Sequence, residues 1–333
     1  MAITGLGPHG EQAVPPHHLR LTHAEAELAR KCQFTVAVVL HTTSSDWSKQ
    51  QIAGIVATLG EYSAAVIDVV DCGFSEAVQN SALDRLTRDT PDAIISIPIG
   101  NAAVADGHRS VSRAGVKLIL LDNAPTGLLP GKDYVSVVSA DNFGLGQIGA
   151  ELLSPYVEEG ASIGIISYGV DFFVTNQREI AFRKWMETER PDIRMRSARF
   201  IDVNLVAPVV DGVLAANADI QGLFAVWDEP AMQAVAALKS RGRQLPLTTV
   251  DLGNEAALEL GSGGMIKGIG AQRPYDQGVT AAVAALQVLV GRSPPPWVAS
   301  PGLSVTRRNV LEAYQLIWHS PAPQQLISAR QRA

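Results

Sequence analysis

The chain has 333 residues, 47% of them hydrophobic, and its 27 Lys+Arg stand against 33 Asp+Glu for a formal charge of −6. At roughly 150 residues per domain this fills two cores and excludes disorder as the main state. The acidic balance argues against nucleic acid or an anionic membrane as partner, and no apolar run reaches the roughly 18 residues of a membrane span.

Residues 1–31 contain no basic stretch leading into an apolar core, so no secretory signal is read there; the protein is cytoplasmic, or this start omits its leader. His9, Pro15, Pro16, His17 and His18 mark a polar, Pro-rich arm, read as a solvated tail. Thr22 and Glu25, at capping-box spacing, open a short helix. From residue 34 onward, short β-branched runs alternate with amphipathic segments, the pattern of βαβ units around a parallel sheet. The first set of runs spans 34–40, 66–70, 93–97, 116–121 and 135–138. The second spans 163–167, 222–227, 247–250 and 266–269. Helices are expected over 47–61, 75–88, 142–159, 175–189 and 229–241. Cys32 precedes the first run and Cys72 follows the second. If those runs are adjacent parallel strands, the two cysteines lie at opposite ends and stay free thiols.

Two successive α/β sets predict two similar doubly wound parallel-sheet lobes. The expected division is 34–139 with 273–301 for one lobe and 140–272 with 302–320 for the other. Residues 1–33 form the arm and short helix, and 321–333 a flexible tail. Crossovers near 139–142, 272–278 and 294–306 make three short connectors, which suits a hinge. In open parallel sheets, ligands collect beyond the carboxyl ends of the strands. Those positions hold His41, Ser45, Asp46 and Trp47; Asp122 and Asn123; Trp227 and Asp228; Asp251; and Gln272, with Arg178 early in the helix after the sixth run. Aromatic faces cover apolar C–H patches while carboxylates and amides satisfy hydroxyls, so the set suits a neutral polyhydroxylated ligand.

Other roles compete for several of these residues. Asp122 and Asp251 also suit caps of turns or helices, and Trp47 and Trp227 also suit core packing. Arg178 has acidic neighbours in Glu179 and Asp171, and His41 reads equally as a structural histidine or a ligand contact. Asp46 is read as the N-cap of the helix holding Trp47, and Asp228 and Glu229 as helix-start residues. Gly144, Gly146 and Gly149 spell GxGxxG with Asp171 about 20 residues on, the pattern of a dinucleotide site. That fingerprint needs its first glycine directly after a strand, however, whereas Asp141 or Asn142 here caps a helix that already contains all three. The glycines are read as permitting close packing of that helix on the sheet, and no cofactor is expected. No nucleophile elbow, Walker loop, HExxH or zinc-like spacing is present.

Five segments together resemble the type I periplasmic binding proteins, the ribose-like sugar and polyol receptors of ABC importers: VVLHTTSSDW, LLDN, SADNFGLGQIGA, GLFAVWDEPAMQAVAAL, and VDLGNEAALELG with GAQRPYDQG. Their order carries the likeness over residues 34–278 and most of the remaining tail. The resemblance implies a non-enzymatic, periplasmic or exported monomer that captures a monosaccharide or sugar alcohol between two lobes and presents it to ABC permease membrane subunits. It also assigns roles. Trp47 matches an aromatic laid against the sugar ring and Ser45 a polar contact before it. Asp122 matches a carboxylate gripping two hydroxyls, Arg178 a guanidinium from the second lobe, and Asp251 and Gln272 a second carboxylate and a hinge-side amide. Asn123 stands where ribose binders have Arg, Ser48 where they have a second aromatic, and Trp227 where they have a small amide. These departures imply a different pocket shape, suited to a linear polyol or a deoxy or branched sugar. A sugar sensor feeding a regulatory or signalling complex is the alternative within this fold, and a nicotinamide-dependent oxidoreductase the alternative outside it.

Overall fold

A computed structural model describes residues 2–332. In chain order these form α1 (His23–Cys32), β1 (Thr35–Leu40), α2 (Asp46–Glu61), β2 (Ala65–Asp71), α3 (Glu76–Asp89), β3 (Ala93–Ser96), α4 (Ala102–Arg113), β4 (Lys117–Leu121) and β5 (Ser136–Ala140). There follow α5 (Asn142–Leu153), β6 (Ser162–Tyr168), α6 (Phe173–Glu189), β7 (Arg194–Phe200), α7 (Val206–Ala216), β8 (Ile220–Ala225), α8 (Asp228–Ser240) and β9 (Leu247–Val250). The chain ends with α9 (Asn254–Gly261), β10 (Ile266–Ala271), α10 (Pro274–Leu289), β11 (Trp297–Ser300), β12 (Leu303–Val305), α11 (Val310–Trp318) and α12 (Gln324–Arg332).

Two compact units result. The amino-terminal unit comprises Gly5–Ala140 and Pro274–Ser300, and the carboxy-terminal unit comprises Asp141–Arg273 with the described residues before Gly5 and after Ser300. Among the described residues each unit has one six-stranded sheet, in the order β11-β5-β4-β3-β1-β2 in the first and β12-β10-β9-β8-β6-β7 in the second. Strand pairing is parallel throughout except for β12, which runs antiparallel to β10. Helices cover both faces of such a sheet, so its central strands are continuously apolar: Val36–Leu40 and Ile94–Ile95 are fully buried.

The edge strands behave differently. β2 alternates exposed and half-buried residues, and β7 (RMRSARF) is mostly exposed or half-buried, with Phe200 its one buried residue. With three arginines and no apolar run, β7 escapes a search for hydrophobic stretches, and it is absent from the strands expected from sequence. Cys32 and Cys72 flank the parallel pair β1 and β2, and both are free.

Four expectations are corrected. Ser45, not Asp46, caps α2: its Oγ accepts from the Ser48 N–H, and Asp46 is the first helical residue. The helix expected over 142–159 ends at Leu153 and passes into a 3-10 turn at Ser154–Tyr156, where Pro155 cannot donate the next helical bond. The tail expected to be flexible forms α12, with Leu326 buried at 2% exposure against Gly261. The arm is not a free tail: Val14 pairs with β11 through bonds to Trp297 and Ala299, and Leu19 is buried, although His9, His17 and His18 are exposed as expected.

In the amino-terminal unit a Cβ on Gly54 would lie 2.1 Å from the Tyr275 carbonyl, and one on Gly278 2.2 Å from that of Gln51. The glycines therefore let α2 and α10 touch backbone to backbone, and the buried Gln51 Nε2 donates to Gln277 Oε1 at 2.9 Å across the contact. His108 is fully buried between Ser96 Oγ (3.0 Å) and the Val104 carbonyl (2.8 Å), and burial lowers its pKa from 6.5 to about 4. A depressed folded-state pKa means the neutral ring contributes its full stability above pH 6.5 and loses it as pH falls towards 4. Between pH 7.5 and 5 this one ring should cost about 2 kcal/mol. Urea unfolding of His108→Gln at the two pH values should show a correspondingly smaller acid loss than the wild type; equal losses would mean that the ring is not held neutral.

Candidate functional site

The carboxyl ends of the strands in each unit carry the residues singled out from sequence. In the amino-terminal unit, His41 follows β1, Ser45 and Trp47 open α2, and Asp122 and Asn123 follow β4. The His41 ring meets Trp47 edge-on at 5.7 Å and Phe74 at 5.0 Å. His41 Nδ1 and Trp47 Nε1 are both buried with no hydrogen-bond partner among the described residues. Burial outweighs the attraction of Asp71 and lowers the His41 pKa to about 4, so the imidazole is neutral at physiological pH. Asp71 accepts from Thr43 N and Oγ1 and from Gly73 N, which ties the loop after β1 to the loop after β2. Ser45 Oγ is engaged in capping and also donates to Ser48 Oγ at 2.9 Å. Asn123 turns inward, its Nδ2 donating to the carbonyls of Pro98 (3.1 Å) and Gly100 (2.6 Å), so its amide fastens the loop after β3.

Asp122 and Asp251 occupy the same place in their respective sheets. Each follows the third strand of its order, β4 or β9. Each has left-handed backbone, with φ of 58° and 73°. The Asp122 N–H donates to the carbonyl of Val138, the partner of Leu121; the Asp251 N–H donates to that of Gly270, the partner of Val250. Aspartate is among the few side chains that tolerate this conformation. Both carboxylates are buried, at 3% and 8% exposure.

In the carboxy-terminal unit three of the expected residues form one network. Arg178 is 3% exposed. Its Nε donates to Asn142 Oδ1 (2.9 Å), and its Nη1 donates to the Val226 carbonyl (2.9 Å) and to Asp251 Oδ2 (3.4 Å). Gln272 Nε2 donates to Asp251 Oδ1 at 2.6 Å. These bonds leave Arg178 Nη2 available for an acceptor. Trp227 packs edge-on against Tyr168 (5.3 Å) and tilted against Phe200 (5.2 Å), and its indole N–H reaches Glu229 Oε2 at 3.5 Å. Asp228 Oδ2 accepts from the Gly253 N–H and Oδ1 from that of Glu229. Burial, reinforced by the nearby Asp251, pushes the Asp228 carboxyl well above the usual carboxylate range; burial raises the Asp251 pKa as well, with Arg178 and Gln272 pulling it part of the way back by favouring the charged form.

Sequence reasoning did not place Asn142, Phe74, Tyr168 or Phe200 here. Tyr168 and Phe200 end β6 and β7, so the strand-tip criterion finds them once β6 is given its full length and β7 is recognised as a strand. Asn142 begins a helix and reads as a cap, but Asp141 does the capping by accepting from Gly144 N, which frees Asn142 for Arg178. The glycine run serves the same end. A Cβ on Gly146 would stand 2.2 Å from the Arg178 carbonyl, and one on Gly149 2.6 Å from the Phe224 ring. Gly149 thus packs α5 on the sheet as expected, while Gly146 brings α5 against α6 and sets the height of Arg178.

The family described as "Periplasmic binding protein domain" matches residues 36–293. The ribose import binding protein RbsB of Bacillus subtilis is 24% identical over 271 residues, covering 81% of this chain and 87% of that protein. A solute binding protein of an ABC transporter from Agrobacterium vitis, crystallised with alpha-D-tagatopyranose, superposes with a TM-score of 0.79 at 21% identity, covering 87% of this chain and all of that one. A carbohydrate transporter solute binding protein from Agrobacterium radiobacter in complex with D-arabinose gives 0.76 at 20% identity, covering 86% and 99%. The two α/β units are those of the type I periplasmic binding protein fold.

Gly146→Ala should destabilise the protein by about 1–3 kcal/mol, because a backbone carbonyl cannot yield as a flexible side chain would. Gly212→Ala in α7, where an added methyl meets nothing within 4 Å, is the control and should be neutral or stabilising. Thermal melts compare the two; equal melting temperatures would show that α6 does not depend on the missing Cβ.

Proposed function

The chain belongs to the periplasmic binding protein domain family, and on that premise we propose that it is a solute receptor that binds a monosaccharide or sugar alcohol and delivers it, as a monomer, to the membrane subunits of an ABC importer. The candidate contacts are His41, Ser45, Trp47 and Asp122 in the amino-terminal unit, and Arg178, Trp227, Asp251 and Gln272 in the carboxy-terminal unit, each set lying within its own unit. The observation that carries the reading is the Trp47 indole N–H, buried without a hydrogen-bond partner among the described residues, on the carboxyl-end side of the sheet where the buried Asp122 follows β4. A buried donor costs free energy unless something accepts from it, and an aromatic face beside a carboxylate is what a sugar ring with adjacent hydroxyls requires. Asn123 supports the receptor by holding the loop after β3, since its amide hydrogens go to backbone carbonyls. The relatives' ligands, ribose, tagatose and arabinose, agree with a small neutral guest. The Bacillus subtilis relative is an import binding protein and the two Agrobacterium proteins are transporter solute binding proteins, which is why export of this chain belongs to the proposal.

Thermal-shift screening against D-ribose, D-arabinose, D-tagatose, allitol and further pentoses, hexoses and polyols tests it. A ligand at 100 times its Kd should stabilise the native state by about 2.7 kcal/mol and raise the melting temperature by several degrees. Asp122→Asn, which keeps a side chain suited to left-handed backbone, should remove measurable calorimetric binding without lowering the melting temperature of the free protein by more than about 4 °C. Trp47→Leu should weaken binding about tenfold to a hundredfold. Failure of every sugar and polyol to shift the wild type would sink the reading.

A further inference from the structure

Asp251 holds left-handed backbone, which costs any residue with a Cβ, and the three residues after it are each tied down by side chains from elsewhere in the unit. The Leu252 carbonyl accepts from Trp318 Nε1 at 3.0 Å. The Gly253 N–H donates to Asp228 Oδ2 at 2.9 Å. Asn254 Oδ1 accepts from the Tyr314 hydroxyl at 2.7 Å. Two of the three ties come from α11, where Tyr314 and Trp318, four residues apart on one face, stack at 5.1 Å with their planes within 3°. Each ring restricts the other's rotamers. Tyr314 is 4% exposed, and Val310, Ala313 and Ile317 bury the rest of that face.

We propose that α11 and the Asp228 carboxylate form a strap that holds the Asp251 loop in its left-handed setting, making Trp318, Tyr314 and Asp228 positioning residues for the carboxylate that meets the guest. The proposal deepens the receptor reading and rests on it. Released from the strap, residue 251 is free to relax towards extended backbone, which any residue adopts more readily. That rotation carries the carboxylate away from Gln272 Nε2 and Arg178 Nη1, its two partners. The α11 ties suit the task because phenol and indole donors are neutral and add no charge beside Asp251. Asp228 is the contrasting arm, its Oδ2 accepting from the loop backbone at Gly253 at 2.9 Å. A helix that merely packed against α9 would need none of the three bonds, since apolar contact alone would seat it.

The full chain is tested as Tyr314→Phe, which removes only the hydroxyl, Trp318→Phe, which keeps an aromatic ring but loses the indole N–H and the pyrrole half of the indole, and the double variant. Hydrogen–deuterium exchange on the sugar-free protein should be about tenfold faster or more across residues 251–254 in the double variant, with the sheet strands unchanged. In parallel, D-ribose, D-arabinose, D-tagatose and allitol are titrated into the wild type, the double variant, Asp251→Asn and the combination. The double variant should weaken whichever of these sugars the wild type binds by about tenfold, and should weaken it no further in the Asp251→Asn background, because both changes act through one carboxylate. Unchanged exchange at 251–254 overturns the strap, and so does an equal loss of affinity in both backgrounds, the mark of a purely structural helix. If the double variant does not fold, Trp318→Phe alone carries the same comparisons. Should none of the four sugars bind the wild type, the receptor reading loses support while the exchange result still decides for or against the strap.

Discussion

A guanidinium at 3% exposure needs acceptors close at hand, and the carboxy-terminal unit is arranged to supply them to Nε and Nη1 of Arg178. Removing a full charge from water costs several kcal/mol, which ion pairing offsets only when the remaining donors also find acceptors. Here the acceptors come from three places that the fold brings together: the first residue of α5, the backbone just past β8, and the residue after β9. None can move without leaving a buried donor unmet. The missing Cβ of Gly146 is part of the same requirement, because α6 must lie against α5 for Nε to reach Asn142. A planar guanidinium with donors in fixed directions thus sets the positions of its neighbours, and its Nη2 edge keeps a defined orientation.

The amino-terminal unit reaches a comparable rigidity with amides and short loops. Gln79 donates to the Ile97 carbonyl and accepts from the Ile99 N–H, Asn123 donates to the Pro98 and Gly100 carbonyls, and Asp71 gathers three donors from the loops after β1 and β2. In irregular segments the backbone has no ladder partner, so side-chain amides take its place. Asn123 illustrates the trade. A long cation at that position would project beyond the strand tip, whereas a short amide folds back and secures the adjacent loop.

The alternation of apolar runs with amphipathic stretches made the two α/β sets legible, because central parallel strands are buried on both faces and cannot be anything but apolar. That logic fails at the edges, where β7 has water on one side and carries arginines, and at the end of the chain, where α12 has one strong anchor, Leu326, seated against a glycine far away in sequence. Site residues were legible as far as strand-tip position reaches. Arg178, Asp251 and Gln272 do meet. What they meet with is less legible: Asn142 and Asp141 are adjacent, both suit a helix start, and only the folded chain shows which one caps and which one takes the arginine. Likewise, Asn123 is equally polar whether it faces a sugar or a carbonyl.

Positive φ at Asp122 and Asp251 links the two units in one structural rule. At the end of a strand the side chain of the next residue would ordinarily continue the alternation and point into a covering helix layer. A single left-handed residue breaks that alternation while its N–H still donates to the neighbouring strand, so the sheet is extended by one bond and the side chain is released from the pleat. The conformation costs of order 1 kcal/mol for a residue with a Cβ, and less for aspartate, whose short side chain bonds locally. A position that must be left-handed and still carry a carboxyl group leaves few residues besides aspartate, and the same solution occurs at the third strand of each sheet order. Strain of this kind persists only where the surroundings over-determine it, and at Asp251 the surroundings are visible: a carbonyl, an amide and a side chain in the next three residues, each held by a bond from outside the loop.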